Sequence, residues 1–162
     1  MVAVGETYPA EFFEPLHQML LKIKVKPIAL TSNRRGFPPR HRALSFGITT
    51  HRIYRTVGLS APSKKYPEIY AEMVRLGKII CPYEFESIYL NNNVTCPPHK
   101  DTNNVGYSVL VSFGDYTGGN IMIEGKKYDA KYTPILFDGS QLEHWNTDDL
   151  VGNKYSLVFF NK

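Results

Sequence analysis

Two absences narrow the class of protein: the 162-residue chain has only two cysteines, and it has no long hydrophobic run. Cys81 and Cys96 are too few and too far apart for a zinc ribbon, a CxxC redox pair or a disulfide scaffold. No segment reaches the roughly 20 apolar residues that cross a bilayer, and the first residues lack the basic start of a signal peptide. The sequence therefore predicts a soluble, intracellular protein in the reduced state.

The chain has no internal repeat and no tract that is both long and poor in apolar residues. Its 43% hydrophobic and 13% aromatic content is enough for one compact core. We therefore expect a single domain over residues 1–162, ordered apart from the first few residues and some loops.

Acidic residues are absent between Asn33 and Arg55. The net charge of the whole chain is only +4, so this local imbalance is more informative than the total. The segment contains His41, His51 and six arginines: Arg34, Arg35, Arg40, Arg42, Arg52 and Arg55. Such a stretch predicts contacts with the phosphates of a nucleic acid; the alternative is a solvated loop whose arginines pair with acids elsewhere.

Helical patterns occur in the first half of the chain. Apolar residues recur at helical spacing between Glu11 and Ile23, and Pro15 suits the first turn of that helix. A second helix is predicted from Pro67 to a stop at Gly77. Residues 31–39 have the composition of a loop, followed by strands of uncertain extent.

After residue 84 the pattern changes to short strand-like runs separated by turn residues. The runs are Phe85–Leu90, Ser108–Phe113, Asn120–Glu124, Thr133–Phe137 and Tyr155–Phe160. Gly125 lies between two runs short enough to form a hairpin. Strands and helices do not alternate, which favours a mainly β fold, an antiparallel sandwich or jelly roll with flanking helices. Residues 1–84 are then a helical and basic support region, and residues 85–162 are the β core.

A candidate metal site begins at His99 and Asp101, which lie two positions apart. In extended backbone both side chains leave the same face of the strand. A jelly roll can bring a third ligand, His144, beside them. Two histidines and one carboxylate on one face of an octahedral ion leave three positions open, the arrangement of non-haem Fe(II) oxygenases.

Lys154 and Ser156 supply a candidate anchor for the distal carboxylate of a dicarboxylic cosubstrate. Alternation places both side chains on one face of the last strand. The lysine offers a positive charge, and the serine hydroxyl offers a second hydrogen bond. A lysine and serine at the end of a strand are ordinary by themselves, but their position after the three metal ligands favours the functional interpretation.

Residues 87–160 resemble the Fe(II)/2-oxoglutarate dioxygenase superfamily, and within it the Tet and J-binding-protein group. The resemblance is carried by PPHKDTNNVGYSVLVSFGDYTGGNI, FDGSQLEHW and GNKYSLVFF. It implies a double-stranded β-helix with His99, Asp101 and His144 as catalytic iron ligands and with Lys154 and Ser156 binding 2-oxoglutarate.

The same resemblance implies an enzyme that consumes O2 and 2-oxoglutarate, releases succinate and CO2, and hydroxylates its substrate. Tyr89 and Asn91 are expected to hydrogen-bond 2-oxoglutarate if their side chains point inward; the alternative for Tyr89 is packing inside the barrel. The expected substrate is a methylated nucleobase, such as 5-methylcytosine or thymine in DNA, bound through Arg34, Arg35, Arg40 and Arg42.

Lys154 leaves a second substrate class open. The Tet and J-binding-protein group generally has arginine at this position, whereas lysine is typical of prolyl-hydroxylase-like relatives. A protein hydroxylase of the prolyl type is therefore one alternative. A non-catalytic jelly-roll module that binds a ligand in the same pocket is another.

Overall fold

The computed structural model describes residues 1–25, 42–50 and 56–162, and at Thr50 the backbone alone. Within these ranges a 3-10 turn (Ala10–Phe12) precedes three helices: α1 (Glu14–Leu21), α2 (Ala61–Lys65) and α3 (Pro67–Ile80). Pro15 lies in the first turn of α1, where its missing N–H costs no hydrogen bond. None of the described helices is long and apolar enough to cross a bilayer.

In the described part of the chain, ten strands make up two antiparallel sheets. The strands are β1 (Val2–Val4), β2 (Arg42–Thr50), β3 (Val57–Leu59), β4 (Ser87–Asn92), β5 (Val105–Thr117), β6 (Ile121–Ile123), β7 (Lys126–Tyr128), β8 (Ile135–Phe137), β9 (His144–Asn146) and β10 (Val151–Asn161). The large sheet has the order β1-β8-β5-β10-β4-β2-β3, and the small sheet has the order β7-β6-β9. Strand β10 therefore lies at the centre of the large sheet, between β5 and β4.

Each face of the large sheet is buried against a different partner. The outer face packs against α1 and α3 through Leu90, Val111, Leu157, Phe159 and the helix residues Leu16, Leu20, Met73 and Leu76. The inner face meets the small sheet in a second apolar cluster that includes Leu110, Ile121, Ile123, Ile135 and Phe137. Because side chains alternate along a strand, the remaining inner positions of β4 and β10 face the space between the two sheets.

The predicted succession of short strands after the helices is confirmed, with different bounds and additional strands. Each of the five predicted runs overlaps a strand, and β10 begins earlier than predicted because Val151–Lys154 also pair with β5. The predicted hairpin at Gly125 joins β6 to β7 through Glu124 (φ 48°) and Gly125 (φ 81°), the left-handed pair that tight hairpin turns need. Strands β2 and β3 form in the region of uncertain strands.

Two details of the N-terminal prediction are wrong. The first residues are ordered, because β1 pairs with β8 from Val2 opposite Phe137 to Val4 opposite Ile135. Gly77 does not end its helix, because α3 continues to Ile80. A Cβ atom at Gly77 would lie 2.4 Å from Phe85 Cζ and 2.6 Å from Phe159 Cε1, so this glycine allows two aromatic rings to approach the helix.

The contact at Gly77 predicts that alanine, which usually stabilises a helix relative to glycine, destabilises the protein at this position. Gly→Ala in an exposed helix stabilises by about 1 kcal/mol, but here the added methyl group overlaps two packed rings. We expect Gly77→Ala to lower the free energy of unfolding by about 1–3 kcal/mol in urea denaturation. Ala71→Gly, at an exposed position of the same helix, is the control and should cost about 1 kcal/mol. An equal or higher stability of Gly77→Ala would contradict this packing.

Candidate metal centre and cavity

Backbone hydrogen bonds bring the three predicted metal ligands together. The N–H of His99 donates to His144 O, and the N–H of His144 donates to His99 O, both at 3.0 Å. The N–H of Asp101 donates to Gly139 O at 2.8 Å in the turn before β9. The segment carrying His99 and Asp101 is thereby held against the segment carrying His144. The ligand atoms of the three side chains all lie within 4.8 Å of one another.

Both histidine rings are oriented by a backbone carbonyl. His99 Nδ1 lies 2.7 Å from Pro97 O, and His144 Nδ1 lies 2.9 Å from Leu142 O. A carbonyl oxygen accepts hydrogen bonds only, so each Nδ1 is the donor to it and each Nε2 is the ring nitrogen left to bind a metal in place of its proton. The Nε2 atoms of His99 and His144 lie 3.5 and 3.2 Å from the two carboxylate oxygens of Asp101.

Gly139 leaves the space that the Asp101 carboxylate occupies. A Cβ at this glycine would lie 2.8 Å from Asp101 Oδ2 and 3.3 Å from His144 Cε1. The turn that carries Gly139 is held by Asp138 Oδ1, which accepts hydrogen bonds from the N–H and the hydroxyl of Ser140. Sequence reasoning did not select Gly139; its signal is the turn-forming sequence Asp-Gly-Ser shortly before a histidine ligand.

The donor set fits Fe(II). Burial raises the pKa of Asp101, but the hydrogen bonds and charges of His144 and His99 outweigh burial, so its pKa falls well below the ordinary range. The carboxylate is therefore ionised, and a cation that replaces the Nε2 protons of the two histidines would bind all three groups. Two nitrogens and one oxygen on one side leave the other positions open, unlike the closed four-ligand set of structural zinc. Among the described residues this is the one such group of potential ligands.

A cavity of about 670 Å³ adjoins the three ligands and contains the other predicted site residues. Lys154 and Ser156 line it from β10, and Tyr89 and Asn91 line it from β4. Ser156 is opposite Asn91 in the register of the two strands, so these side chains are neighbours on the inner face. The volume lies within the usual range for small-molecule sites, roughly 300–1,000 Å³.

Lys154 is the buried cation of this cavity, with 6% of its surface exposed. Its Nζ donates to Gly119 O at 2.6 Å and lies 5.6 Å from the centre of the Tyr116 ring. The described residues provide no ion-pair partner for it. Burial lowers the pKa of Lys154 to about 8, so the ammonium still predominates at about pH 7. An anionic group is therefore the complementary ligand for this part of the cavity.

Apolar and amide side chains complete the cavity wall. Leu110, Val158 and Phe160 line it from the inner face of the large sheet. Cys96 and Asn146 also line it, and their segments are joined by hydrogen bonds from Asn146 N to Cys96 O and from Cys96 N to Asn146 Oδ1. Sequence reasoning missed these residues because their positions depend on pairing between distant segments.

The basic region is only partly within the described residues. Arg34, Arg35 and Arg40 lie outside them. Arg42 begins β2, where its Nη1 donates to Val25 O at 2.9 Å. That hydrogen bond uses part of the guanidinium to connect β2 to the segment after α1. The role of this region in nucleic-acid binding stays a prediction.

Comparison with known proteins relates the chain to solved oxygenases through structure. Neither a protein-family model nor a curated protein matches the sequence. NgTET1, solved in complex with 5mC DNA, superimposes with a TM-score of 0.68 at 15% identity, covering 99% of this chain and 71% of that one. An oxidoreductase of the 2OG-Fe(II) oxygenase family from Burkholderia pseudomallei gives 0.61 at 16% identity, covering 98% and 84%. A Pseudomonas putida prolyl-4-hydroxylase gives 0.54 at 11% identity, covering 99% and 92%.

The chain thus has the double-stranded β-helix fold of Fe(II)/2-oxoglutarate oxygenases. The predicted fold class is confirmed, and the resemblance noted in the sequence is confirmed at the level of the fold. Fold alone does not determine a reaction, so the chemistry must be argued from the residues of the site.

The geometry predicts one divalent-ion site of the Fe(II) type. Titration with Fe(II), or with Co(II) as a spectroscopic probe, is expected to give one ion per chain by calorimetry. His99→Ala and Asp101→Ala should each weaken binding at least tenfold, since each removes one of three ligands. His17→Ala is the matched control, because His17 lies on α1 against Phe113 and Tyr155, away from the site. Unchanged affinity in His99→Ala would contradict the assignment.

Proposed function

We propose that the chain is an Fe(II)- and 2-oxoglutarate-dependent dioxygenase. The observation that carries this proposal is the presence of two complementary elements in one cavity. His99, Asp101 and His144 offer three metal-binding atoms within 4.8 Å of one another, and Lys154 and Ser156 line the same space. A metal-binding module needs only the first element. The second is the chemistry expected where a dicarboxylate binds beside the metal.

Each side chain has a separable role in the proposed reaction. His99 and His144 would hold Fe(II) through Nε2, while their Nδ1–H groups donate to Pro97 O and Leu142 O and keep the rings oriented. Asp101 would supply the third ligand and reduce the net charge of the site. Lys154 and Ser156 would bind the distal carboxylate of 2-oxoglutarate, and Tyr89 and Asn91 would hydrogen-bond the cosubstrate from β4. Leu110, Val158 and Phe160 would provide an apolar wall beside the cosubstrate.

Iron and 2-oxoglutarate, when bound, supply the oxidising chemistry: O2 is consumed, 2-oxoglutarate leaves as succinate and CO2, and one oxygen atom enters the substrate. The protein would contribute orientation and, at Lys154, a buried positive charge for the cosubstrate.

The proposed substrate is a methylated nucleobase in DNA, such as 5-methylcytosine or thymine. Two observations support it. The segment from Asn33 to Arg55 contains six arginines and no acid, a composition suited to phosphate contacts. NgTET1, which shares the fold over nearly the whole of this chain, was solved with 5mC DNA. A base must leave the helical stack to reach a metal inside the cavity, so a flipped nucleotide is the expected bound form.

A prolyl-type protein hydroxylase is the second candidate. The feature that favours this candidate is lysine, rather than arginine, at the cosubstrate anchor, here Lys154. The prolyl-4-hydroxylase of Pseudomonas putida also shares the fold.

Succinate release tests the function and separates the two substrates. We expect release to be stimulated by DNA containing 5-methylcytosine more than by the same unmethylated duplex, and mass spectrometry to detect a base with one added oxygen. A proline-rich peptide is the competing substrate, and His99→Ala is the inactive control. Stimulation by the peptide alone would replace the nucleobase with a prolyl substrate. No joint binding of Fe(II) and 2-oxoglutarate, read from the absence of their visible charge-transfer band, would leave a non-catalytic module.

The pKa of Lys154 predicts the pH dependence of cosubstrate binding. The ammonium form binds a carboxylate, and the lowered pKa of about 8 means that this form is lost as the pH rises through that value. With Mn(II) bound, the Kd of 2-oxoglutarate should be nearly constant below about pH 7.5 and should rise above about pH 8, approaching tenfold per pH unit. Lys154→Arg keeps its charge and should remove this rise. A wild-type Kd that is flat up to about pH 9.5 would contradict the role of Lys154.

A further inference from the structure

Lys154 is held by a carbonyl that a second group of side chains fixes in place. Its Nζ donates to Gly119 O at 2.6 Å. Gly119 follows Gly118 in the turn between β5 and β6, and both have left-handed backbone, with φ of 62° and 71°. Two consecutive glycines leave the chain many alternative conformations, so the direction of this carbonyl depends on contacts from outside the turn.

Asp149 and Thr147 provide those contacts from the loop between β9 and β10. Asp149 Oδ1 accepts a hydrogen bond from Gly119 N at 2.9 Å and another from the Thr147 hydroxyl at 2.5 Å. Thr147 Oγ1 in turn accepts from Asn120 N at 3.0 Å. These hydrogen bonds lower the pKa of Asp149, the one from Thr147 most, so the carboxylate is ionised at neutral pH.

The contact to Asn120 N orients the Gly119 carbonyl directly. Gly119 C=O and Asn120 N–H belong to one planar trans peptide, in which the two groups point in opposite directions. The hydrogen bond from Asn120 N–H to Thr147 Oγ1 therefore directs the Gly119 carbonyl away from Thr147 and toward Lys154. The N–H of Gly119 belongs to the preceding peptide, and Asp149 holds that one. Asp149 and Thr147 together thus fix both peptide planes that flank Gly119.

The turn is also shaped to receive Asp149. A Cβ at Gly118 would lie 2.2 Å from Asp149 O, so a side chain there would force the two segments apart. Neither Asp149 nor Thr147 lines the cavity, and Asp149 is exposed, but both contact the turn that carries Gly119.

We propose that Asp149 and Thr147 are positioning residues for the cosubstrate, acting through the Gly119 carbonyl that fixes the Lys154 ammonium. This inference rests on the proposed function. A lysine ammonium is a compact charge on a flexible four-carbon stem, so a bond to a fixed carbonyl decides where the charge lies. One of its three N–H groups is used by Gly119 O, and the other two remain for the distal carboxylate of 2-oxoglutarate.

The test compares two ligands that differ at the distal carboxylate. The Kd of 2-oxoglutarate and of 2-oxobutyrate, which lacks that carboxylate, is measured anaerobically with Mn(II) bound. Asp149→Ala and Thr147→Ala are each expected to raise the Kd of 2-oxoglutarate about fivefold, the size of one hydrogen bond between Lys154 and the distal carboxylate, and to leave that of 2-oxobutyrate unchanged. Thr147→Ser keeps the hydroxyl and should restore affinity. Asp148→Ala removes the neighbouring exposed charge and should behave like the wild type.

Two further measurements exclude a general structural effect. In the Lys154→Ala background, Asp149→Ala should produce no additional loss of 2-oxoglutarate affinity, because the two residues act on one contact. Amide hydrogen exchange at Gly119 and Asn120 should be faster in Asp149→Ala, while the thermal unfolding transition is retained.

The outcomes separate this proposal from the one on which it rests. Equal weakening of both ligands, or additive effects of Asp149→Ala and Lys154→Ala, would overturn the positioning role while leaving the oxygenase proposal intact. A wild-type protein that binds Mn(II) but shows no affinity for 2-oxoglutarate would overturn both.

Discussion

The paired backbone hydrogen bonds between His99 and His144 are the constraint on which the candidate site depends. They join the segment that precedes β5, a strand of the large sheet, to the start of β9 in the small sheet. Once these two residues are adjacent, Asp101 lies two positions further along one segment, and its N–H reaches Gly139 O on the other. Backbone pairing thus brings the metal-binding atoms together. A preformed arrangement of this kind binds an ion with little cost in conformational entropy.

The central position of β10 explains how the anchor for an anion becomes buried. Pairing with β5 and β4 satisfies the backbone hydrogen bonds of β10 on both edges. Because side chains alternate along a strand, those of β10 point by turns to the helices and to the cavity. Tyr155, Leu157 and Phe159 enter the outer core, which leaves Lys154 and Ser156 inside. Burying a lysine is unfavourable without compensation, and here Gly119 O and the Tyr116 ring supply part of it. The remainder is what an arriving carboxylate would provide.

The features of the site that depend on local periodicity could be predicted from the sequence. The spacing of His99 and Asp101, and that of Lys154 and Ser156, follows the two-residue repeat of extended chain. Sequence reasoning failed where long-range packing decides the outcome. Glycine is a common residue at the end of a helix, yet Gly77 lies inside α3. The rings of Phe85 and Phe159 occupy the space that a side chain at this position would fill. Likewise, nothing local to Asp149 indicates that it would hold Gly119, since that contact forms only when two loops meet.

The central claim is that one cavity holds a metal ion on three side chains and a dicarboxylate on Lys154. An anaerobic crystal structure with Mn(II) and 2-oxoglutarate tests it most directly. The account predicts a single ion on His99 Nε2, His144 Nε2 and an Asp101 oxygen, with the 2-oxo acid end of the cosubstrate on the ion. Its distal carboxylate should contact Lys154 Nζ and Ser156 Oγ. An ion closed by a fourth protein ligand, or a dicarboxylate bound away from Lys154, would contradict it.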